Sequence, residues 1–105
     1  MIDLWVDDLR EPPEGWVWVK TAYKAQEIIV ANKVDRLSLD HDLGGTKTIM
    51  PLVDWLCRNP DHLPDTIYVH SSNPVGRNNI KRAFLAEAHK YVLDAYYSKG
   101  YQHEN

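Results

Sequence analysis

The sequence lacks three things that mark whole classes of protein: a second cysteine, an excess of basic residues and a long apolar run. Cys57 is the single cysteine among 105 residues, so no disulfide can form within the chain. With 12 Lys and Arg against 15 Asp and Glu, the formal charge of −3 gives no reason to expect binding to duplex DNA. No apolar run reaches membrane-spanning length, and no basic segment precedes an apolar one at the N-terminus. We therefore expect a protein of a reducing, cytoplasmic compartment that does not bind membranes.

What the sequence does contain is an alternation of apolar strands and amphipathic helices, which predicts one α/β domain over residues 1–105. The predicted strands are 1–6, 16–20, 34–39 and 66–70, and the predicted helices are 21–32, 48–59 and a last one from 74 through 95 to a stop at Gly100. The proline-containing stretch Leu9–Gly15 is predicted to be a loop. Such alternation favours a mainly parallel sheet of about four strands with helices on both faces.

Polar side chains follow three of these strands. They are Asp7 and Asp8 after the first strand, Asp40, His41 and Asp42 after the third, and His70, Ser71, Ser72 and Asn73 after the fourth. In parallel sheets, ligands bind in the crevice beyond the carboxyl ends of the strands. Because three strands deliver polar groups to the same edge, the pattern predicts a functional site there.

The carboxylates at this edge indicate a divalent metal. Several carboxylates on one rim repel one another unless a cation joins them, and oxygen ligands suit Mg²⁺ or Mn²⁺, which also accept a phosphate oxygen. We expect Asp8 and Asp40 to be direct or water-mediated ligands, with Asp7 and Asp42 close by. The alternative is a solvated acidic rim, which repetition across strand ends disfavours.

The segment NPVGRNN, residues 73–79, indicates a phosphate-binding helix start. A helix N-terminus offers unpaired N–H groups and partial positive charge, Gly76 permits close backbone approach, and Arg77 can bind phosphate bidentately. Ser71 and Asn73 add hydrogen-bonding groups. Taken alone, the same segment also fits an ordinary capped helix with a solvated arginine.

Two histidines lie at strand ends, and imidazole is the side chain ordinarily suited to proton transfer near neutral pH, so His41 or His70 is a candidate general acid or base. A single strand-end histidine is more often a packed structural residue. Two of them beside a predicted metal and phosphate site favour acid–base work on a phosphate ester.

The acidic pair Asp7 and Asp8, the segment DRLSLD ending at Asp40, and Ser71 resemble the receiver domains of response regulators. That resemblance implies a flavodoxin-like three-layer sandwich in which the acidic pair and Asp40 bind Mg²⁺. It also implies that Asp40 accepts a phosphoryl group and that Ser71 contacts the phosphate. Two departures are expected: the loop Leu9–Gly15 reduces the first crossover, and no fifth strand with its lysine follows the last helix.

The combination of LDDLR, SLDHDLG and VHSSNPVGR more closely resembles the cyclic-phosphate-processing receiver-like family of bacteria and phages. This resemblance implies a phosphate-bearing small molecule or an RNA end as partner and a role in RNA repair. Three functions stay open at this point: a metal-dependent phosphoesterase, a phosphoacceptor module in signalling, and a protein that sequesters a nucleotide without changing it. Tyr96, Tyr97 and Tyr101 are candidates for a contact surface between copies of the chain.

Overall fold

The computed structural model describes residues 1–86 and the backbone of residues 92–94, in which five parallel strands form one sheet. The strands are β1 (Ile2–Val6), β2 (Val17–Val19), β3 (Val34–Leu39), β4 (Thr66–Val69) and β5 (Val92–Asp94), in the sheet order β2-β1-β3-β4-β5. The helices are α1 (Ala22–Ala31), α2 (Met50–Arg58) and α3 (Pro74–Ala86), with a short 3₁₀ turn at Pro60–His62. The predicted reduced, receiver-like α/β fold is confirmed.

The first two helices begin where local signals in the sequence place them. Thr21 caps α1, because its hydroxyl accepts a hydrogen bond from the Lys24 N–H at 3.0 Å. Pro51 lies in the first turn of α2, where its missing N–H has no helical partner to lose. None of the helices in residues 1–86 is long and apolar enough to span a bilayer.

The end of the chain differs from the prediction. Helix α3 is described over Pro74–Ala86, and Val92–Asp94 forms a fifth strand parallel to β4, with Val92 opposite Ile67. The prediction of a last helix through residue 95, with no fifth strand after it, is therefore wrong. A strand of three residues is too short to display a period of two, and Val92 equally extends the helical apolar line of Ile80 and Phe84. The predicted stop at Gly100 lies outside the described residues.

The two faces of the sheet are covered differently. Leu4, Leu37 and Ile67 point to one face, where they form a common core with buried side chains of all three helices. The opposite face carries a smaller cluster in which Trp5, Tyr68 and Trp16 pack together. Within the described part of the chain, no helix contributes to that cluster, so the predicted layer of helices on the second face is not found there.

Candidate metal and phosphate site

Acidic residues that follow β1 and β3 meet at the carboxyl edge of the sheet. The two strands are hydrogen-bonded neighbours, with Val6 opposite Leu39, so the chain leaves both strands side by side. One carboxylate oxygen each from Asp7, Asp8 and Asp40 lies within 4.8 Å of the others. We call these three residues the acidic cluster. The structure thus brings together three of the four predicted metal ligands.

Asp42, the fourth predicted ligand, lies outside the acidic cluster. Its Oδ1 is 3.0 Å from His41 Nδ1, and its Oδ2 accepts a hydrogen bond from Asn73 Nδ2 at 3.1 Å. The hydrogen bonds from Asn73 and His41 lower the pKa of Asp42. Asp42 therefore joins the loop after β3 to the start of α3.

Asp7 is fully buried, and both of its carboxylate oxygens are bonded. Its Oδ1 accepts the N–H groups of Leu9 and Arg10, each at 2.8 Å, and its Oδ2 lies 2.9 Å from His70 Nε2. Burial alone would raise the pKa of Asp7, but these hydrogen bonds, the one from His70 first, bring it below its ordinary value. Asp7 is thus a fixed carboxylate whose Oδ1 is committed to the loop after β1.

His70 lies beneath the acidic cluster rather than at the predicted rim, with none of its surface exposed. Its Nδ1 is 2.7 Å from Ser38 Oγ, and its ring stacks on Trp5 with centroids 3.9 Å apart. Burial lowers the pKa of His70, although the bond to Asp7 opposes that shift. A neutral ring donates from Nε2 to Asp7 and accepts the Ser38 hydroxyl at Nδ1, an arrangement that holds Asp7 in place.

Asp8 and Asp40 are the more accessible members of the cluster, both half-buried. Asp8 has no hydrogen-bond partner among the described residues, and a Cβ added at Gly44 would lie 3.2 Å from its Oδ2. Burial and the charge of Asp7 raise the pKa of Asp40, while the Ser71 hydroxyl lowers it by hydrogen bonding. In residues 1–86, no lysine or arginine forms an ion pair with any of the three carboxylates.

The start of α3 is closed by its own cap. Asn73 Oδ1 accepts the N–H groups of Val75 and Gly76, each at 3.1 Å, and the Asn73 carbonyl accepts the Arg77 N–H. The expectation of unpaired N–H groups at this helix end is therefore wrong. The Arg77 side chain turns back to donate from Nη1 to the Ser71 carbonyl at 3.1 Å. The predicted phosphate contacts of Ser71, Asn73 and Arg77 remain predictions.

Gly76 allows the close approach of a side chain, His41, rather than of a phosphate as predicted. A Cβ at this position would lie 2.6 Å from His41 Nδ1 and 2.8 Å from His41 Cβ, so the imidazole packs directly on the helix backbone. His41 is 9% exposed, and its Nε2 has no partner in the part of the chain that the structure describes. The side chain is thereby held between Gly76 and Asp42, with one ring nitrogen bonded and the other without a protein partner.

Gly76→Ala should destabilise the fold by about 1–3 kcal/mol, because the added methyl group displaces the His41 ring and overpacks a tight contact. Alanine is otherwise the better helix former, so a loss of stability isolates the steric effect. The exposed Asn79→Ala in the same helix is the matched control, with an expected change within about 0.5 kcal/mol. Urea denaturation of both variants measures the difference, and a Gly76→Ala variant as stable as the control would contradict the packing of His41.

Arg10 is a site residue that the sequence reasoning missed. Its Nη1 donates to the His70 carbonyl at 3.2 Å and its Nη2 to Ser72 Oγ at 3.1 Å, so it bridges from the loop after β1 to the end of β4. The Trp5 indole fixes the Arg10 carbonyl at 2.8 Å. The sequence feature that could have indicated this role is a basic residue three positions after Asp7, in a loop that two prolines constrain.

Comparison with known proteins supplies a family. No curated protein matches the sequence. The family model described as the cyclic-phosphate processing receiver domain matches residues 2–86, which include every predicted site residue. The matched region also contains the strand ends that form the acidic cluster. The chain therefore belongs to the family of cyclic-phosphate processing receiver domains.

Proposed function

We propose that this domain binds a divalent cation at the acidic cluster and hydrolyses a cyclic phosphate ester, on an RNA end or a nucleotide. The acidic cluster is the observation that carries this proposal. Three carboxylates whose oxygens lie within 4.8 Å of one another repel strongly, and no Lys or Arg ion pair neutralises them within residues 1–86. A cation in their midst removes that repulsion.

The donor set fits Mg²⁺ or Mn²⁺, since all three groups are hard oxygen ligands. Asp8 and Asp40 would hold the ion. Asp8 has no partner among the described residues, and the carboxylate oxygens of Asp40 keep lone pairs for a metal ion. Asp7 would contribute through Oδ2, directly or through water, while Oδ1 stays with the loop. When bound, the ion supplies Lewis-acid polarisation of a phosphoryl oxygen.

Two guanidinium groups favour the binding of a phosphate beside the acidic cluster. Arg10 donates to the carbonyl of His70 and Arg77 to the carbonyl of Ser71, so both charges lie at the end of β4. The Ser71 hydroxyl lies in the same place and lowers the pKa of Asp40 against the larger effect of burial. We assign Arg10 and Arg77 to orienting the anionic phosphate, with Ser71 and Asn73 as neutral neighbours.

His41 is the better candidate for moving protons. When Nδ1–H donates to the Asp42 carboxylate, Nε2 is left as a basic nitrogen, whereas both nitrogens of His70 are already bonded in the interior. His41 would take a proton from water as the water oxygen bonds to phosphorus. One ring P–O bond breaks, and return of that proton to the leaving oxygen gives a phosphate monoester with a free hydroxyl group. His70 is assigned the orientation of Asp7.

The test is incubation with an RNA oligonucleotide ending in a 2′,3′-cyclic phosphate, in Mg²⁺, Mn²⁺ or EDTA, followed by mass spectrometry. We expect the mass of one water to be added in the presence of metal and not in EDTA. His41→Gln should lower the rate by about 10²- to 10⁴-fold while Mn²⁺ affinity is retained. An unchanged cyclic end in every metal, for RNA and for nucleoside 2′,3′-cyclic phosphates, would refute the catalytic proposal.

A phosphoacceptor role is the second candidate, favoured by the Ser71 hydroxyl, which lowers the pKa of the Asp40 carboxyl against the larger effect of burial. The lysine that receivers carry after the fifth strand has no counterpart directly after β5, because Ala95 follows Asp94. Treatment with acetyl phosphate in Mg²⁺ separates the two candidates. A stable adduct on Asp40, detected by mass spectrometry, would favour signalling over hydrolysis.

A further inference from the structure

A groove of about 550 Å³ opens between the start of α1, the loop after β3 and the start of α2. The volume lies within the range of about 300–1,000 Å³ that is usual for small-molecule sites. The side chains that line it and bear on the argument are Thr21, Tyr23, Leu43, Thr46, Lys47 and Thr48. None of them belongs to the acidic cluster, and the proposed function uses none of them.

The groove adjoins the acidic cluster through one short loop. Leu43 and Lys47, which line the groove, are joined by a hydrogen bond from the Leu43 N–H to the Lys47 carbonyl at 2.9 Å. Gly44, between them, comes so close to Asp8 that an added Cβ would lie 3.2 Å from Oδ2. Its φ of +101° is a conformation that suits glycine. One side of this loop therefore faces Asp8 and the other faces the groove.

Two hydroxyl groups in the groove are ready to donate to a ligand. Thr21 Oγ1 accepts the Lys24 N–H at 3.0 Å, and Thr48 Oγ1 accepts the Met50 N–H at 3.2 Å, so each oxygen already serves as a helix-start acceptor. Neither hydroxyl donates to another group within the described ranges of the chain. A hydroxyl whose acceptor role is filled still has its proton to give, which suits the ring nitrogens, carbonyls or sugar oxygens of a nucleoside.

The aromatic and charged groups of the groove fit the same ligand. Tyr23 is 72% exposed and lines the groove, so most of its side chain is accessible to a ligand. A planar base can stack on an exposed aromatic ring of this kind. Lys47 is exposed on the loop that adjoins Asp8, and it adds a positive charge on the side where a phosphate would lie.

We propose that this groove binds the nucleoside of a nucleoside 2′,3′-cyclic phosphate, with the base on Tyr23 and the phosphate at the acidic cluster. The inference rests on the proposed function and adds to it a specificity site: the domain selects a nucleoside ester over a cyclic phosphate without a base. Tyr23 and Thr21 recognise the base and sugar, and the loop containing Gly44 connects them to the reacting group.

The experiment compares two probes by calorimetry in Mg²⁺: adenosine 2′,3′-cyclic phosphate and ethylene phosphate, which has the same five-membered ring but no nucleoside. Turnover is suppressed by His41→Gln in every protein used. Tyr23→Ala should weaken binding of the nucleotide by about tenfold and leave ethylene phosphate unchanged, because only a stacking surface is removed. Tyr23→Phe should bind the nucleotide within about twofold of the parent.

Two further variants separate groove effects from general damage. Val30→Ala, at an exposed position on the same helix that does not line the groove, should bind both probes like the parent. Thr46→Trp, at an exposed loop position, should fill the groove and weaken nucleotide binding alone.

Equal nucleotide affinity of parent, Tyr23→Ala and Thr46→Trp would overturn the groove assignment while the metal and phosphate site stands. A parent that binds ethylene phosphate as tightly as the nucleotide would overturn it as well. A parent that binds neither probe would remove the proposed function and this inference together. Mn²⁺ affinity should be unchanged in Tyr23→Ala. A loss of nucleotide binding in that variant can then be assigned to the groove and not to the metal site.

Discussion

Asp40→Asn is expected to reduce Mn²⁺ or Mg²⁺ affinity by more than about 100-fold, because loss of a metal-ligating charge should exceed the 10- to 100-fold effect typical of outer-shell changes. The same variant should have a higher Tm than the parent in EDTA. Burial and the charge of Asp7 raise the pKa of Asp40, so its ionised form destabilises the metal-free fold. Asparagine removes that charge and keeps an acceptor for the Ser71 hydroxyl.

The pH dependence gives the sign of this effect. A carboxyl group whose pKa is raised in the folded state contributes stability below its pKa in the unfolded chain, and that contribution is lost as pH rises through the folded pKa. The Tm advantage of Asp40→Asn in EDTA should therefore shrink as pH falls from 7 through the pKa of Asp40, which lies above 3.8. Differential scanning calorimetry at several pH values measures it.

Asp42→Asn is the matched control, since Asp42 is a neighbouring aspartate outside the acidic cluster. It should keep the parent's metal affinity within about twofold and lose some stability, because the carboxylate bonds to His41 and Asn73 are weakened. Equal losses of metal affinity in the two variants would mean that the loop after β3 rearranges to bring Asp42 into the site. No rise in Tm for Asp40→Asn in EDTA would show that the three carboxylates do not repel as the geometry requires.

His70→Ala is expected to destabilise the fold by about 3–5 kcal/mol, since it leaves the buried Asp7 carboxylate without its donor and removes the ring stacked on Trp5. Mn²⁺ affinity should fall by about 10- to 100-fold because Asp7 loses its orientation. Urea denaturation and calorimetric titration provide the two values.

Ser38→Ala tests whether the effect comes through Asp7. It removes the hydroxyl bonded to His70 Nδ1 but leaves the bond between His70 and Asp7 in place, so a cost of about 1 kcal/mol is expected, with little change in metal affinity. If His70→Ala binds Mn²⁺ as tightly as Ser38→Ala, then His70 does not position Asp7 for the metal, and its burial is a matter of packing alone.

The sequence was sufficient where a feature depends on neighbouring residues. Strand β3 was predicted at its observed bounds, and Thr21 caps α1 as predicted. The acidic residues after β1 and β3 converge because parallel strands align their carboxyl ends. Each of these follows from local periodicity, a cap residue or a general rule of sheet geometry. They required no knowledge of which side chains touch across the fold.

The features that were missed depend on partners distant in the chain. His70 is buried because Ser38, Trp5 and Asp7 from two other strands surround its ring, and only strand register places them there. Gly76 leaves room for the side chain of His41, which lies 35 positions earlier in the chain. Strand β5 is defined by pairing with β4 rather than by any pattern of its own three residues.

The central claim is that one cation, held by the acidic cluster, lies beside the phosphate of a cyclic ester. The most direct test is ³¹P NMR of adenosine 2′,3′-cyclic phosphate with substoichiometric Mn²⁺, on a His41→Gln background that prevents turnover. We predict strong broadening of the phosphorus signal by the protein-bound paramagnetic ion, which Asp8→Asn abolishes and Asp42→Asn preserves. A signal that stays as narrow with protein as with an equal amount of free Mn²⁺, or broadening that survives Asp8→Asn, would contradict the claim.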